Sequence, residues 1–185
     1  MSIRSSIMFG DHIIGLRFQN GVLIATKSSL TRDSFIISKS TEKIKSFGNV
    51  LVCGTGNAAD IDILNEKVLS LMRRYQLECG LNPSTKTVAR LLVNECRNRE
   101  NCDFTIVGVT GNRLELYQVV DGALIESTSY TIQGGRDLCA AAIGVLDLEY
   151  NSGMSLEAAK ELCTKSLNLG MFGSKGEVII SHLLL

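Results

Sequence analysis

The turn signals of this chain come in groups, and that grouping restricts its fold more than any single motif does. Ile13 to Phe18 and Val22 to Thr26 flank Gln19-Asn20-Gly21. Asn-Gly marks a hairpin because both residues tolerate positive φ. A second β pair is predicted from Ser34 to Ile37 with Lys43 to Ser46, after which Gly48-Asn49 turns the chain into the apolar stretch Val50 to Cys53. Helix signals follow as a pair. From Ala58 to about Glu78 the apolar residues fall at Ile61, Leu64, Val68, Leu71, Met72 and Tyr75, spacings of three and four that build one buried face. Gly80 ends this helix. Ser84 or Thr85 can cap a second one through Val88, Leu91, Leu92 and Cys96.

The same grouping then repeats. Phe104 to Val109 and Leu114 to Val120 flank Thr110-Gly111-Asn112-Arg113, and Asp121-Gly122 leads into Ala123 to Ser127, with a short strand near Tyr130 to Ile132. Helices are predicted from about Asp137 to Asp147, and from Ser155 as N-cap to Leu169-Gly170; Glu177 to Leu183 is a last strand. A doubly wound sheet alternates single strands with single helices. Grouped strands with hairpin turns give antiparallel sheets instead. Two such sheets face to face, each covered outside by a helix pair, would bury every apolar face in the chain. The predicted class is α+β, a four-layer αββα sandwich.

The 185 residues suit one domain, here read as a short extension over 1–10 and a single domain over 11–185. Nineteen basic and nineteen acidic residues give no net charge, so nothing supports nucleic-acid binding electrostatically. No apolar run reaches the roughly 18 residues of a membrane span, and "MSIRSSIMFG" lacks the apolar core of a secretion signal. An intracellular protein without membrane partners is expected. The six cysteines (Cys53, Cys79, Cys96, Cys102, Cys139 and Cys163) include no C-x-x-C spacing. They are expected to be free, mostly buried thiols. They and the two histidines, His12 and His182, lack the pattern of a zinc site. His182 is expected to be packed and hydrogen-bonded in the last strand.

Gly54-x-Gly56-x-x-Ala59 follows a strand and opens a helix, the placement of a dinucleotide fingerprint. The mechanism also requires a parallel strand after one helix, ending in an acid for the ribose. Here a long helix is followed by Pro83 and another helix. The motif is therefore read as a tight strand-to-helix turn, and no cofactor is expected.

Three segments in order, "GLRFQNGVLIATKSSLTRDSFIISKSTEKI", "GNVLVCGTGNAAD" ahead of the long helix and "GVLDLEY" ahead of the last helix, resemble the proteasome beta subunits. The resemblance runs from about Asp11 to the last strand. It implies the sandwich fold of N-terminal nucleophile hydrolases, which agrees with the element order read above. It also implies assembly with other alpha and beta subunits in stacked rings, protein degradation by the complex, and residence in cytoplasm and nucleus. Two segments, "IIGLRFQNGVLIATKSSLTR" and "ELYQVVDG", most resemble a non-catalytic branch of that family.

Active members of the family use an N-terminal threonine whose own amine is the base. A lysine supplies positive charge, an acid pairs with it, and a glycine N–H stabilises the oxyanion. Counted without gaps from Gly21, the threonine position is Asp11, preceded by Gly10. The acid position is Lys27, a charge reversal, while the lysine persists as Lys43 and the glycine as Gly56. The family's C-terminal Asp falls on Met171, its serine is matched by Ser174, and a further serine falls on Asp137 or one residue away. Self-cleavage requires a hydroxyl or thiol at position 11, and a carboxylate supplies neither. Ser2, Ser5 and Ser6 lie too far upstream to replace it. The resemblance thus implies an inactive subunit with no catalytic residue, in which Asp11, Lys27, Lys43 and Gly56 mark former site positions. Asp11-His12, adjacent at the start of a strand, is read as a trace of that site rather than as a dyad.

Overall fold

The computed structural model describes residues 7–9, 12–32, 35–97, 99, 102–134, 136–169 and 176–185. The large sheet contains β1 (Ile7–Phe9), β4 (Leu30–Arg32), β5 (Phe35–Ser38), β6 (Ile44–Phe47), β7 (Val50–Asn57), β8 (Cys102–Thr110), β9 (Arg113–Val120) and β10 (Ala123–Ser127). Its order is β10-β9-β8-β7-β1-β4-β5, with β6 also on β7. The small sheet contains β2 (Ile13–Phe18), β3 (Gly21–Lys27), β11 (Tyr130–Gln133) and β12 (Val178–Leu184), in the order β11-β2-β3-β12. Every pairing among the described residues is antiparallel.

Alternation sends each face of these strands into a different layer. On β3, Val22 and Ile24 join Ile13, Leu51, Cys53, Val107 and Leu116 between the sheets. Leu23 and Ala25 of the same strand face the other way, onto Leu146, Leu162, Cys163 and Leu167. Those residues belong to α3 (Arg136–Glu149) and α4 (Leu156–Leu169). On β7, Val50 and Val52 meet Ile61, Leu64, Val68, Val88 and Leu92, from α1 (Ala58–Cys79) and α2 (Thr85–Cys96). All seven residues of β3 are buried, as a strand covered on both faces requires. The layers therefore run helix pair, sheet, sheet, helix pair, as the element order predicted.

The two sheets approach closely at Gly15. A Cβ there would lie 2.7 Å from Leu116 Cδ1, 2.8 Å from Thr131 Oγ1 and 2.9 Å from Thr105 Cγ2. A polar bridge crosses the sheets beside it. Thr105 Oγ1 donates to Gln133 Oε1 at 2.6 Å, and Gln133 Nε2 donates to the Val119 carbonyl at 3.2 Å. Gln118 Nε2 adds a bond to the Ile132 carbonyl at 3.0 Å. These buried groups are thus satisfied across the interface, as burial demands.

Helix ends follow the sequence signals. Asn57 caps α1 through its side-chain oxygen, Gly80 closes it at φ 69°, and Ser84 rather than Thr85 caps α2. Ser155 Oγ accepts from Ala158 N ahead of α4.

Two expectations are corrected. The segments around Ser34 to Ile37 and Lys43 to Ser46 do not pair with each other; Ser34 itself lies outside the described residues. Instead β5 folds back on β4, and β6 pairs with β7 across the Gly48 turn. Leu30–Arg32 is too short to show a period in sequence, so the nearer partner of β5 was invisible. Similarly, Ile7–Phe9, assigned to the extension, forms a strand that pairs with β4 and β7. Its partners are distant in sequence, and three apolar residues carry no alternation that would announce them.

Of the cysteines, Cys79 is exposed and the other five are buried, all as free thiols. Burial pushes the Cys53 thiol up to about 12, against the opposing pull of the Lys43 charge and a Thr26 hydrogen bond. Burial also pushes Cys163 up to about 12.

Two predictions follow from this packing. Gly15→Ala forces the sheets apart or bends side chains out of their wells, and is expected to lower stability by about 1–3 kcal/mol, read as a lower denaturant midpoint with an unchanged slope. Because the thiolate is the reactive form, alkylation of the folded chain at pH 8 labels Cys79 first. Cys53 and Cys163 stay unlabelled until the protein is unfolded, and peptide mass mapping checks this.

Candidate functional site

Asp11 and Gly10 lie outside the described residues, but the chain on both sides of them is placed. Phe9 sits in β1 opposite Gly56. His12 is buried and leads into β2, where Ile13 pairs with Thr26. The described chain thus leaves the large sheet at β1 and re-enters in the small sheet at β2.

Three strands bring polar residues to this end of the sandwich. Thr26, near the end of β3, donates through Oγ1 to the His12 carbonyl at 2.9 Å. Lys27 follows it as the last residue of β3, and Lys43 immediately precedes β6. Both lysines are nearly fully buried, at 3% and 4% exposure, and both interact with other groups in the protein. Cys53 of β7 stands opposite Ile44 in the register and feels both the Lys43 charge and the Thr26 hydroxyl. The structure thus brings Lys43, Thr26 and Cys53 together, with Lys27 one residue from Thr26. A thiol held near 12 is protonated at neutral pH, so Cys53 does not stand in for a missing nucleophile. Thr26 and Cys53 were not singled out from sequence; strand alternation alone cannot distinguish a buried polar neighbour of a site from a core residue.

Gly56 lies two residues before α1 with φ 127°, a conformation that an L side chain rarely adopts. Its pairing with Phe9 on one side and Cys102 on the other shows the backbone closely flanked. Gly54 is required for packing: a Cβ would meet Ile61 and Phe104 at 2.8 Å. The first N–H groups of α1, which would hold a pyrophosphate, are taken by Asn57 Oδ1, at 3.0 Å from Ala59 N and 3.4 Å from Asp60 N. Asp60 adds a negative charge to that first turn and pairs with Arg99. The strands beside β7 are antiparallel to it. The Gly54-x-Gly56-x-x-Ala59 stretch is therefore a packing turn, without the parallel strand or the free helix N-terminus that nucleotide binding needs.

Other candidates are dispersed. Ser2, Ser5, Ser6, Met171 and Ser174 lie outside the described residues, and the backbone of Asp137 is in the first turn of α3. His182 is exposed on β12, a correction to the packed histidine expected there: the strand lies at the sheet edge, beyond β3. β3 also separates it from His12 on the β2 side. Among the described residues, no three His, Cys, Asp or Glu side chains gather closely enough to hold a metal ion.

A model of the proteasome subunit family matches residues 7–182. Proteasome subunit beta type-10 of Rattus norvegicus is 31% identical over 172 residues, covering 90% of this chain and 62% of the relative. The Mus musculus protein of the same name is 29% identical over 171 residues with the same coverage. The Bos taurus one is 31% identical over 172 residues. The chain spans 62% of the length of these relatives. With a family match that begins at β1 and reaches into β12, the chain belongs to the proteasome subunit family and is similar to its beta-type members.

Proposed function

We propose that this chain is a non-catalytic structural subunit of the 20S proteasome core. The observation that carries the reading is Lys27: at the position of the family's acid stands a buried lysine. An acid and a lysine attract and hold the lysine's charge toward a nucleophile. A lysine at that position supplies no carboxylate for such a pairing. Asp11 supports the same conclusion from sequence. A threonine hydroxyl attacks the preceding carbonyl to free its own amine and later attacks the peptide; a carboxylate at position 11 can do neither. Two elements of the active arrangement are thus replaced, while Lys43 and Gly56 remain as parts of the scaffold.

In this role the subunit sits in a heptameric beta ring between two beta neighbours, under an alpha ring and against a beta subunit of the opposite ring. It encloses the chamber and positions neighbouring active sites, and cleavage in ubiquitin- and ATP-dependent degradation is done by the complex. The segments "IIGLRFQNGVLIATKSSLTR" and "ELYQVVDG" favour the place of the fourth beta subunit, beta type-2 of animals. Exposed apolar residues on two helices support extensive contacts: Leu77 of α1 is 88% exposed and Leu148 of α3 is 86% exposed. Large interfaces between permanent partners bury such side chains. Cytoplasm and nucleus are the compartments of this role, and no cofactor, nucleic acid or membrane takes part in it.

Intact-mass measurement on the chain isolated from cells is expected to show the Gly10–Asp11 bond uncut; a species beginning at residue 11 would contradict the reading. The chain is expected to co-purify in a large ring assembly, and a free 20.1 kDa species alone would contradict it as well. Asp11→Thr by itself is expected to give no labelling by an electrophile selective for N-terminal threonine, because Lys27 still replaces the acid. Labelling of that single variant at the level of an active subunit would show the site to be one substitution from activity.

A further inference from the structure

We propose that the mouth between the two sheets, at the end where β2 turns into β3, is a binding site for a carboxylate-bearing organic molecule, held by Arg17 and Arg113. The inference is independent of whether the subunit is catalytic. From this end β3 runs seven residues to Lys27, roughly 20 Å. The mouth is therefore at the opposite end of the sandwich from Lys27 and Thr26.

Arg17 stands opposite Val22 in the β2–β3 register, as Gly15 stands opposite Ile24. Directly opposed residues share a face, and Val22 and Ile24 both belong to the apolar cluster between the sheets. Arg17 thus occupies a place on the inward face where an apolar residue would pack, and it is half-buried. Burying a cation is costly unless a partner compensates it. Among the described residues, the Arg17 guanidinium makes no hydrogen bond or ion pair; the ion pairs join Lys67 to Glu95, Arg74 to Glu78, Arg99 to Asp60 and Lys165 to Glu149.

Arg17 lines a cavity of about 470 Å³, a volume in the range of small-molecule pockets. Arg113, the first residue of β9, lines it from the large sheet and likewise has no ion pair among the described residues. The nearest acid in sequence is already engaged. Glu115 Oε2 accepts from Thr110 Oγ1 at 2.7 Å, and Oε1 accepts from Tyr117 Oη at 3.3 Å. Glu126 stands opposite Tyr117 in the β9–β10 register. It therefore starts on the face that packs with α1 and α2, away from the space between the sheets. Gln19 and Asn112 add amide donors to the cavity, and Leu114 adds apolar surface. Guanidinium forks match a carboxylate in two parallel hydrogen bonds. The apolar surface and the volume call for a carbon skeleton behind it, which an inorganic anion lacks.

The test is calorimetric titration of the full chain with N-acetyl-trialanine, with its C-terminal amide, and with inorganic phosphate. The acid is expected to bind about tenfold or more tightly than the amide, which keeps the skeleton and loses the charge. Arg17→Gln and Arg113→Gln are each expected to weaken the acid by about tenfold or more, and Arg17→Lys to weaken it as well, because an ammonium lacks the fork. No heat at millimolar peptide, equal binding of acid and amide, or unchanged binding by Arg17→Gln would overturn the proposal. Phosphate bound as tightly as the peptide would reduce the site to a simple anion site and overturn it too. Stability separates binding from a structural role. Without ligand, Arg17→Gln is expected to keep or raise the denaturant midpoint, since it removes a half-buried cation that the fold does not pair. A lowered midpoint would make Arg17 a structural residue and sink the assignment.

Discussion

The close approach of two sheets is the constraint from which the rest of this structure follows. At Gly15 there is no room for a methyl group between β2 and the side chains of Leu116, Thr105 and Thr131. Each sheet therefore has one face given to the other sheet. Strand alternation leaves the opposite faces equally apolar, and each needs a helix pair to cover it. The bridge from Thr105 through Gln133 to the Val119 carbonyl crosses the same interface. Apolar packing brings the sheets together, and this satisfied polar contact favours one registry, since any slip would leave buried donors and acceptors unmatched.

At the end of that interface the packing becomes polar, which explains why chemistry-related positions gather there. Thr26 and Cys53 occupy inward or strand-end places that ordinary core residues could fill, yet Lys43 is buried close enough for its charge to act on Cys53, and Lys27, next to Thr26 in β3, is buried as well. Burying an ammonium group is costly unless other groups compensate it, and both lysines do interact within the protein. The opposing effects on Cys53 set the balance: the nearby cation favours the thiolate, while burial opposes it more strongly. The nearby positive charge therefore does not turn Cys53 into a thiolate at neutral pH.

The layer structure was legible in the sequence because it depends on periodic patterns and turns. Asn20-Gly21 joins β2 to β3, Gly80 ends α1, and Ser84 begins α2 in the structure as the local signals require. Pairing between distant segments was not legible. Nothing local in Ile7–Phe9 points to Arg32 or Gly56, and nothing in Phe35–Ser38 distinguishes the short β4 from the later β6 as its partner. The candidate site positions came from resemblance instead. Lys27, Lys43 and Gly56 could be placed only by comparison with a familiar pattern, since one lysine in a strand looks like any other. His182 shows the limit of residue type alone: an edge position left it exposed where burial was expected.

Fold and chemistry are separable here because they rest on different residues. The contacts that require a particular residue for architectural reasons are Gly15 between the sheets, Gly54 against Ile61 and Phe104, and Asn57 at the start of α1. None of them is a nucleophile, a base or a charge partner. Gly56 belongs to both groups, since its φ of 127° suits the turn into α1 whatever its N–H does. A lineage can therefore lose a hydroxyl at position 11 and reverse a charge at position 27 without losing a layer of the sandwich.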